Sequence, residues 1–262
     1  GSVGDAADRV VEEIRALGGS AIADRADVTA PDQVGAMVRR AEETWGRIDI
    51  LVNNAGILRD RTFGNVTLED FRAVVEVHFM GSVHCTHAVW NGMRERRYGR
   101  VVMTTSSSGL FGNFGQAHYG AAKMAVVGLM NTLRLEGAPY GVHVNCLSPS
   151  AATRMTGDIF EDGEYARLHP DLVAPGLAAL CGDDAPNGVI LCAGGGSFER
   201  SYVTHTRGIC VSGANMEDQI IKRFAELSDR EGEMIPASGI EQSRWELFAA
   251  AGGAQPDRGA AA

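Results

Sequence analysis

Two residues in the stretch AHYGAAKMAVVGL, residues 117–129, have the types and the spacing needed for proton transfer. Tyr119 and Lys123 are four positions apart, so in a helix they lie on the same face, one turn apart. An ammonium beside a phenol favours the phenolate, so we expect Lys123 to lower the pKa of Tyr119 from about 10 toward neutrality. A tyrosine with such a pKa is a usable general acid and base. The alternative is a solvated lysine beside a surface tyrosine, because so short a motif also matches by chance.

Composition limits the classes of protein to which the chain can belong. The 262 residues suit one large α/β domain or two small ones, and 45% of them are hydrophobic, as in proteins with a sizeable core. The formal net charge of -9 argues against a nucleic-acid partner. No apolar run reaches membrane-spanning length, so we expect no membrane partner. The five cysteines are scattered and lack CxxC spacing, which predicts a reduced, cytoplasmic protein without a metal site.

The elements that must position Tyr119 alternate between strands and helices. Continuous apolar runs predict buried strands in SAIADRADV, RIDILVNNAG, GRVVMTTSSSG, GVHVNCLSPS and GVILCAGGG. Helical periodicity follows Thr29 and Thr67, which are the expected N-caps, and also surrounds Tyr119. This alternation predicts a parallel sheet covered on both faces. The expected fold class is therefore α/β, with a doubly wound, Rossmann-like parallel sheet in three α/β/α layers.

Polar residues end three of these strands, in the motifs NNAG, TTSSSG and LSPS. In a doubly wound fold, ligands bind at the carboxyl ends of the strands. The three motifs are thus expected along one rim of the sheet, beside the start of the Tyr119 helix. This convergence favours the proton-transfer interpretation over a chance match.

Together, these motifs resemble those of the short-chain dehydrogenase/reductase family. The resemblance rests on Asn53-Asn54-Ala55-Gly56, the serine-rich strand end, Tyr119-x-x-x-Lys123 and a strand ending at Pro149, in the family's order and spacing. A narrower resemblance, to the (3R)-hydroxyacyl-CoA dehydrogenase units of multifunctional β-oxidation enzymes, rests on NNAGILRDRTF, YGRVVMTTSSSG, GNFGQAHYGAAK and ATRMT. It implies an NAD(P)-dependent oxidoreductase that converts (3R)-hydroxyacyl-CoA to 3-oxoacyl-CoA.

The resemblance assigns catalytic roles to four residues. Tyr119 would take the hydroxyl proton as hydride leaves the carbon, and Lys123 would lower its pKa and bind the nicotinamide ribose. Ser106, thirteen residues before Tyr119, would orient the substrate oxygen. His78 stands where many relatives have Asn and would act mainly through its backbone carbonyl. The alternatives are a capped turn for the serine run and a core position for His78.

The resemblance also implies NAD as the cofactor, with NADP not excluded. The implied contacts are Asp27, Val28, Asn53, Ala55, Gly56, Tyr119, Lys123, Pro149 and Thr153. Asp27 and Val28 would contact the adenine ring, and the backbone of the NNAG motif would lie close to the adenosine. Pro149 and Thr153 would contact the nicotinamide or a phosphate. Asp27 is equally well explained as a turn residue at a strand end.

The start of the chain departs from the family pattern. Relatives begin with a strand and a glycine-rich turn that cradles the pyrophosphate, and GSVG does not follow a strand. The first βαβ unit is thus missing from this sequence, together with the residue that separates NAD from NADP. We expect an omitted segment to supply it, because a true loss would expose a long apolar edge. Within the sequence, we expect an incomplete dinucleotide-binding and catalytic domain at 1–196, a helical extension at 197–250 and a disordered tail at 251–262.

The expected partner is a small molecule, an acyl-CoA thioester. Phe111 and Phe114 could form the walls of an apolar slot for the acyl chain, and Gln116 could hydrogen-bond the thioester carbonyl. The candidates for the CoA phosphates are Arg154, Arg200 and Arg207. Two alternatives stay open, which are a dehydrogenase for a steroid or another secondary alcohol, and a cofactor-free binding protein that retains these residues as relics.

We also expect a homodimer or homotetramer, because symmetric assembly is the default for soluble oligomers. The expected interface is the outer faces of two helices, formed by Val89, Trp90, Met124, Val127 and Met130. The alternative is that these side chains belong to the core of one subunit.

Overall fold

The computed structural model describes residues 3–153 and 167–252 of the chain. The chain divides into two units, Gly1–Ser201 and Tyr202–Ala262. All the residues predicted to be catalytic or to contact the cofactor belong to the first unit. The division falls five residues after the expected boundary at 196, because residues 197–201 form a strand of the sheet and not the start of a helical extension.

The first unit alternates helices and strands, as expected. Its described helices are α1 (Val3–Ala16), α2 (Pro31–Trp45), α3 (Leu68–Val75), α4 (Gly81–Arg96), α5 (Ser107–Phe111), α6 (Ala117–Gly137) and α7 (Ala174–Cys181). Its described strands are β1 (Ile50–Asn53), β2 (Gly99–Thr104), β3 (Val142–Ser150), β4 (Ile190–Gly194) and β5 (Ser197–Ser201). A π-helical turn, Glu76–Met80, joins α3 to α4, and short 3-10 helices lie at Ala138–Tyr140 and Pro170–Leu172.

The strands form one sheet in chain order, β1-β2-β3-β4-β5. The first four are parallel, as the apolar runs predicted, and β5 is antiparallel to β4. The sequence analysis did not predict β5. The two residues between β4 and β5 are Gly195 and Gly196, with φ of 60° and 82°, which is the backbone that a tight hairpin turn requires. The Gly-Gly pair was therefore the signal that could have revealed this strand.

Helices cover both faces of the sheet, which confirms the predicted three-layer α/β/α arrangement. On one face, strand side chains such as Val101, Met103 and Val144 pack against α2, α4 and α6. On the other face, Val102 and Leu147 pack with Leu180 of α7. Successive side chains of β2 are thus buried on opposite faces of the sheet. Because both faces are covered, the strand carries apolar side chains on both, which explains its continuous apolar run.

The segment SAIADRADV, predicted as a strand, is not one. The amide of Ala26 donates to the Asp24 side chain and that of Asp27 to the Gln33 side chain, so bonds that a sheet would use are made locally. Thr29 is not the N-cap of α2 either, because its hydroxyl donates to Asp27 and Ala30 takes that position. Thr67 does cap α3, accepting a hydrogen bond from the amide of Asp70.

Among the described strands, β1 pairs on one side only, with β2. Its residues Ile50 and Val52 are 46% and 37% exposed, although a parallel sheet normally buries such side chains. Within the described residues, β1 is therefore an apolar edge of the sheet.

The second unit contains α8 (Met216–Lys222), α9 (Phe224–Leu227) and α10 (Gly239–Ala250), and the helices expected near these positions are thus present. An antiparallel bridge joins His205 to Met234. Residues 253–262 of the expected disordered tail lie outside the described residues. Within the described part of the chain, no helix is long and apolar enough to cross a bilayer.

Three of the five side chains assigned to a subunit interface lie instead in the core of the first unit. Val89, Val127 and Met130 are at most 3% exposed and pack against the sheet. The interface interpretation is wrong for these three, because a side chain without exposed surface cannot contact another subunit. Met124, 39% exposed, is still available for such a contact.

Met130→Ala should lower the free energy of unfolding by about 2–5 kcal/mol, because it opens a cavity in a fully buried site. Leu135→Ala is the matched control on the same helix, since Leu135 is 46% exposed, and it should change stability by less than about 1 kcal/mol. Urea denaturation of both variants checks this. Equal losses would contradict the placement of Met130 in the core.

Candidate active site

A cavity of about 440 Å³ lies at the carboxyl ends of β1, β2 and β3. The structure brings seven of the predicted site residues to its wall, and these are Gly56, His78, Ser106, Tyr119, Lys123, Pro149 and Thr153. The four other predicted residues, Asp27, Val28, Asn53 and Ala55, do not line it. The sequence motifs thus meet at one rim of the sheet, as their places at strand ends predicted.

Lys123 is a buried cation on α6, only 4% exposed. Its Nζ donates a hydrogen bond of 2.6 Å to the backbone carbonyl of Thr104 and lies 5.6 Å from the centre of the Tyr119 ring. The Thr105 hydroxyl donates back to the Lys123 carbonyl, so the end of β2 and the helix are joined in both directions. Burial lowers the pKa of Lys123 to about 8, because the ammonium loses its hydration.

Tyr119 does not show the lowered pKa that the spacing predicted. Burial raises the pKa of Tyr119, a hydrogen bond with Ser106 opposes this, and the carboxylate of Asp60 raises it further. The prediction was wrong in direction for this structure. Its physical reason is that the ammonium of Lys123 is hydrogen-bonded to Thr104, while the phenol lies in a buried site that disfavours the phenolate.

Ser106 is both a cap and a partner of Tyr119, so the two interpretations of the serine run hold together. It is the N-cap of α5, where its Oγ accepts from the Ser108 amide at 3.2 Å, and its hydroxyl also interacts with the Tyr119 phenol and lowers the pKa of that phenol. Two neighbouring hydroxyls are used elsewhere, since Thr105 donates to Lys123 and Ser108 donates to Gln116. The structure therefore distinguishes Ser106 from Thr105 and Ser108.

His78 lies in the π-helical turn, and such turns are frequent at functional sites. Its ring is 3% exposed and meets the Tyr119 ring edge-on, with 5.1 Å between ring centres. Nε2 lies 2.7 Å from the carbonyl oxygen of Ile57, to which it donates. Burial first, and Lys123 second, lower the pKa of His78 to about 4, so the imidazole is neutral near neutral pH. Its backbone carbonyl accepts from the Ser82 hydroxyl.

Gly56 is required by the closeness of His78. A Cβ at position 56 would lie 2.3 Å from Cε1 of the His78 ring, far inside van der Waals contact. The last residue of the NNAG motif therefore lets the imidazole stand beside the Ile57 backbone, in addition to any role in cofactor binding.

The two asparagines of the NNAG motif join the end of β1 to α4 and to the end of β2. The Asn53 side chain donates to the Thr86 hydroxyl of α4 at 3.0 Å, and Asn54 accepts from the Thr104 hydroxyl at 3.1 Å. Asn54 lines the cavity, although it was not among the predicted site residues. Its place in the motif was a signal that could have indicated it.

Asp27 and Val28 form a turn outside the cavity. Hydrogen bonds from the Thr29 amide and hydroxyl lower the pKa of Asp27, as expected for a turn residue. The Val28 carbonyl accepts from the His84 ring at 2.9 Å. The turn interpretation of Asp27 is thus confirmed, and its contact with adenine stays a prediction.

Of the residues expected to hold the acyl-CoA, Gln116 lines the cavity and the two phenylalanines do not. Phe111 and Phe114 are 75% and 90% exposed and do not line it, so the slot that they were expected to form is not present in this structure. Arg154 lies outside the described residues, Arg200 lies on β5, and Arg207 belongs to the second unit. Their contacts with CoA phosphates stay predictions.

With this geometry in place, comparison with known proteins identifies the family. Residues 2–164 match the family described as short chain dehydrogenase. The chain belongs to this family. It is accordingly an oxidoreductase of the short-chain dehydrogenase/reductase type, whose members use NAD or NADP.

Individual relatives extend the likeness over most of the chain. A Mycobacterium tuberculosis protein named as a short-chain type dehydrogenase/reductase is 44% identical, over 87% of this chain and 80% of its own. The acetoacetyl-CoA reductase of Allochromatium vinosum is 39% identical, over 66% of this chain and 75% of its own. The structure of full-length peroxisomal multifunctional enzyme type 2 from Drosophila melanogaster is 33% identical, with a TM-score of 0.80, and covers 95% of this chain. This chain spans 44% of that longer protein.

Gly56→Ala should destabilise the protein by about 1–3 kcal/mol, because the added methyl overlaps the His78 ring. In the double variant Gly56→Ala/His78→Ala the overlap is relieved, so the total loss should be smaller than the sum of the single losses. Gly64→Ala is the matched control, since a Cβ there meets nothing within 4 Å. Chemical denaturation of the four proteins measures the coupling, and additive losses would contradict the close contact.

Lys123→Met should keep or raise the free energy of unfolding at pH 7. In the wild type, burial lowers the pKa of the Lys123 ammonium from 10.5 to about 8. Below pH 8 the buried charge therefore lowers the free energy of unfolding by roughly 3 kcal/mol. This loss offsets the stabilisation from the hydrogen bond between the ammonium and Thr104. This cost fades as the folded protein loses the proton, so the variant's advantage should shrink between about pH 8 and 10.5.

The control is Lys222→Met, which removes an exposed lysine of α8. Denaturation of both variants across this pH range gives the difference from wild type at each pH. A constant difference for Lys123→Met, parallel to that of Lys222→Met, would refute the buried charge.

Proposed function

We propose that the protein is an NAD(P)-dependent dehydrogenase that oxidises (3R)-hydroxyacyl-CoA thioesters to 3-oxoacyl-CoA. The observation that carries the proposal is the arrangement of Tyr119. Its phenol lies in the wall of a cavity that Ser106 and Lys123 also line, and the Ser106 hydroxyl lowers the pKa of the phenol. A secondary alcohol placed there would have an oxygen-orienting group and a proton acceptor side by side.

The residues around the cavity suit a nicotinamide cofactor. Lys123 is almost fully buried, yet its ammonium makes one hydrogen bond to the described residues, so two of its three donors are available for ribose hydroxyls. Thr153 and Pro149 line the same cavity beyond the end of β3 and would hold the nicotinamide end. A bound nicotinamide would supply the acceptor for the hydride that leaves the carbinol carbon. We favour NAD, with NADP not excluded.

The chain's own residues would handle the proton. Ser106 would hold the substrate hydroxyl, and ionised Tyr119 would take its proton as the carbon–oxygen double bond forms. The raised pKa of Tyr119 keeps the phenol protonated at neutral pH, which suits the acid of the reverse reduction. Oxidation should therefore accelerate as the pH rises toward the pKa of Tyr119. Neutral His78 would position the Gly56–Ile57 backbone and would not transfer a proton.

Two similarities support the acyl-CoA substrate. The motifs NNAGILRDRTF and GNFGQAHYGAAK resemble those of (3R)-hydroxyacyl-CoA dehydrogenase units. One relative is named as an acetoacetyl-CoA reductase, and acetoacetyl-CoA is a 3-oxoacyl-CoA, the product class of the proposed oxidation. Gln116 lines the cavity with one N–H that makes no described hydrogen bond, so it can still donate to a thioester carbonyl.

We propose a homodimer or homotetramer, since symmetric oligomers are the default, with exposed Met124 rather than the buried residues of α4 and α6 at the contact. The cytoplasmic location expected from the reduced cysteines stays a prediction.

A spectrophotometric assay tests the proposed function. The protein should form NADH with (3R)-3-hydroxybutyryl-CoA and not with the (3S) isomer, and parallel runs with NADP should give the cofactor preference. Tyr119→Phe should lower the rate by roughly 10²–10⁴-fold at nearly unchanged cofactor affinity, because only the transferable proton is lost.

Tyr140→Phe is the matched control, because this tyrosine lies outside the cavity and stacks on the Arg94 guanidinium. It should retain wild-type turnover. Oxidation of the (3S) isomer alone, or of steroids without any CoA ester activity, would reject the acyl-CoA proposal. Near-wild-type turnover by Tyr119→Phe would reject the role of the tyrosine.

A further inference from the structure

The loop between β1 and α3 is fastened to the start of α6 on both sides of Asp60. The carbonyl of Arg59 accepts from Nε2 of His118 at 2.9 Å, and His118 is fully buried. The amide of Arg61 donates to the carbonyl of Gly115 at 3.0 Å. Because His118 directly precedes Tyr119, these two bonds fix the backbone of Asp60 relative to the phenol.

The side chain of Asp60 makes a third connection, to Gln116. Nε2 of Gln116 donates to Oδ2 of Asp60 at 2.7 Å, and Gln116 is 6% exposed. Oε1 of the same amide accepts from the Ser108 hydroxyl at 2.7 Å and from the Asn113 amide at 3.1 Å. The carboxylate is thus the acceptor at the end of a network that joins α5 to the first turn of α6.

Asp60 forms no ion pair within the described residues, and its neighbour Arg59 is paired with Asp70. The carboxylate of Asp60 acts on Tyr119 and raises the pKa of the phenol.

The other charged or titratable groups near Tyr119 come from three directions. Lys123 lies over the ring on the same helix, His78 meets the ring edge-on from the π-helical turn, and His118 faces the Arg59 carbonyl and the Phe71 ring. His78 is neutral near neutral pH, because its pKa is about 4. Asp60 is therefore the carboxylate that acts on the phenol, and it is bound to the cavity through Gln116, which lines the cavity.

We propose that Asp60 is a positioning residue for Tyr119, which fixes the start of α6 through Gln116 and adds one negative charge to the surroundings of the phenol. The proposal deepens the proposed function and rests on its assignment of Tyr119 as the proton carrier. In the reduction, the charge favours a protonated acid. In the oxidation, it makes the phenolate a stronger base, at the expense of a smaller ionised fraction.

Asp60→Asn separates the charge from the hydrogen bond, because the amide oxygen of Asn can still accept from Gln116. The near-ultraviolet absorbance of tyrosinate, taken as wild type minus Tyr119→Phe, reports the ionisation of Tyr119 without any substrate. The midpoint of this titration should fall by about half a pH unit in Asp60→Asn, as expected for one charge acting across partly solvated protein. The rising limb of the pH–rate profile for alcohol oxidation should move by the same amount.

Asp70→Asn is the matched control, since it removes an equal charge from the partner of Arg59. It should leave the midpoint unchanged. Asp60→Ala removes both the charge and the acceptor, so it should add a several-fold rise in KM that Asp60→Asn does not show. An unchanged midpoint in Asp60→Asn, or equal shifts in Asp60→Asn and Asp70→Asn, would overturn the proposal.

The spectroscopic and kinetic readouts also separate two failures. A shifted tyrosinate midpoint in a protein that does not oxidise hydroxyacyl-CoA would reject the proposed substrate and support the role of Asp60. Turnover of hydroxyacyl-CoA with no shift of either readout would support the proposed function and reject Asp60.

Discussion

The buried ammonium of Lys123 is the constraint on which the rest of the site depends. A cation at this depth needs strong acceptors, and the Thr104 carbonyl at the end of β2 supplies one. This bond forms only when the end of β2 lies beside the first turns of α6. The hydrogen bond from the Thr105 hydroxyl to the Lys123 carbonyl requires the same alignment of strand and helix. Tyr119, one turn earlier on α6, is placed by these contacts before any ligand enters. The buried charge of Lys123 thus lowers the stability of the fold, and the same ammonium keeps N–H donors available for a ligand.

The local sequence pattern was sufficient to predict those helices and strands that are stabilised by contacts within their own segment or with an adjacent strand or helix. The helix around Tyr119, the Thr67 cap and the four parallel strands all follow from periodicity and strand-end polarity in the sequence. The segment 20–28 has the composition of a strand, but strand structure needs a hydrogen-bonding partner, and none pairs with it in the described chain. Its amides bond to side chains instead. The sequence of a segment predicts its tendency to form a strand, and pairing with a neighbouring strand decides whether the strand forms.

The residues of the site could be predicted from the sequence where they belong to a motif. They could not be predicted where only a tertiary contact brings them together. Tyr119 and Lys123 follow from their spacing and Ser106 from the resemblance to the family, and the structure brings all three to one cavity. Asp60 and Gln116 are 56 positions apart, so no local pattern links them. The direction of the pKa shift of Tyr119 was missed for a related reason. Spacing shows that a lysine is near, but burial and the orientation of the ammonium toward Thr104 are properties of the folded chain.

The order of strands in the sheet bears on how the chain reaches its fold. Each described strand pairs with the next one along the sequence, from β1 to β5. The parallel pairs nevertheless join distant residues, such as Ile50 and Arg100, and such long-range pairing is intrinsically slow. The β4–β5 hairpin, turned at Gly195–Gly196, needs the smallest loop among the described strand pairs. The sheet can therefore grow one crossover at a time, with Lys123 and Thr104 brought together as soon as α6 docks between β2 and β3.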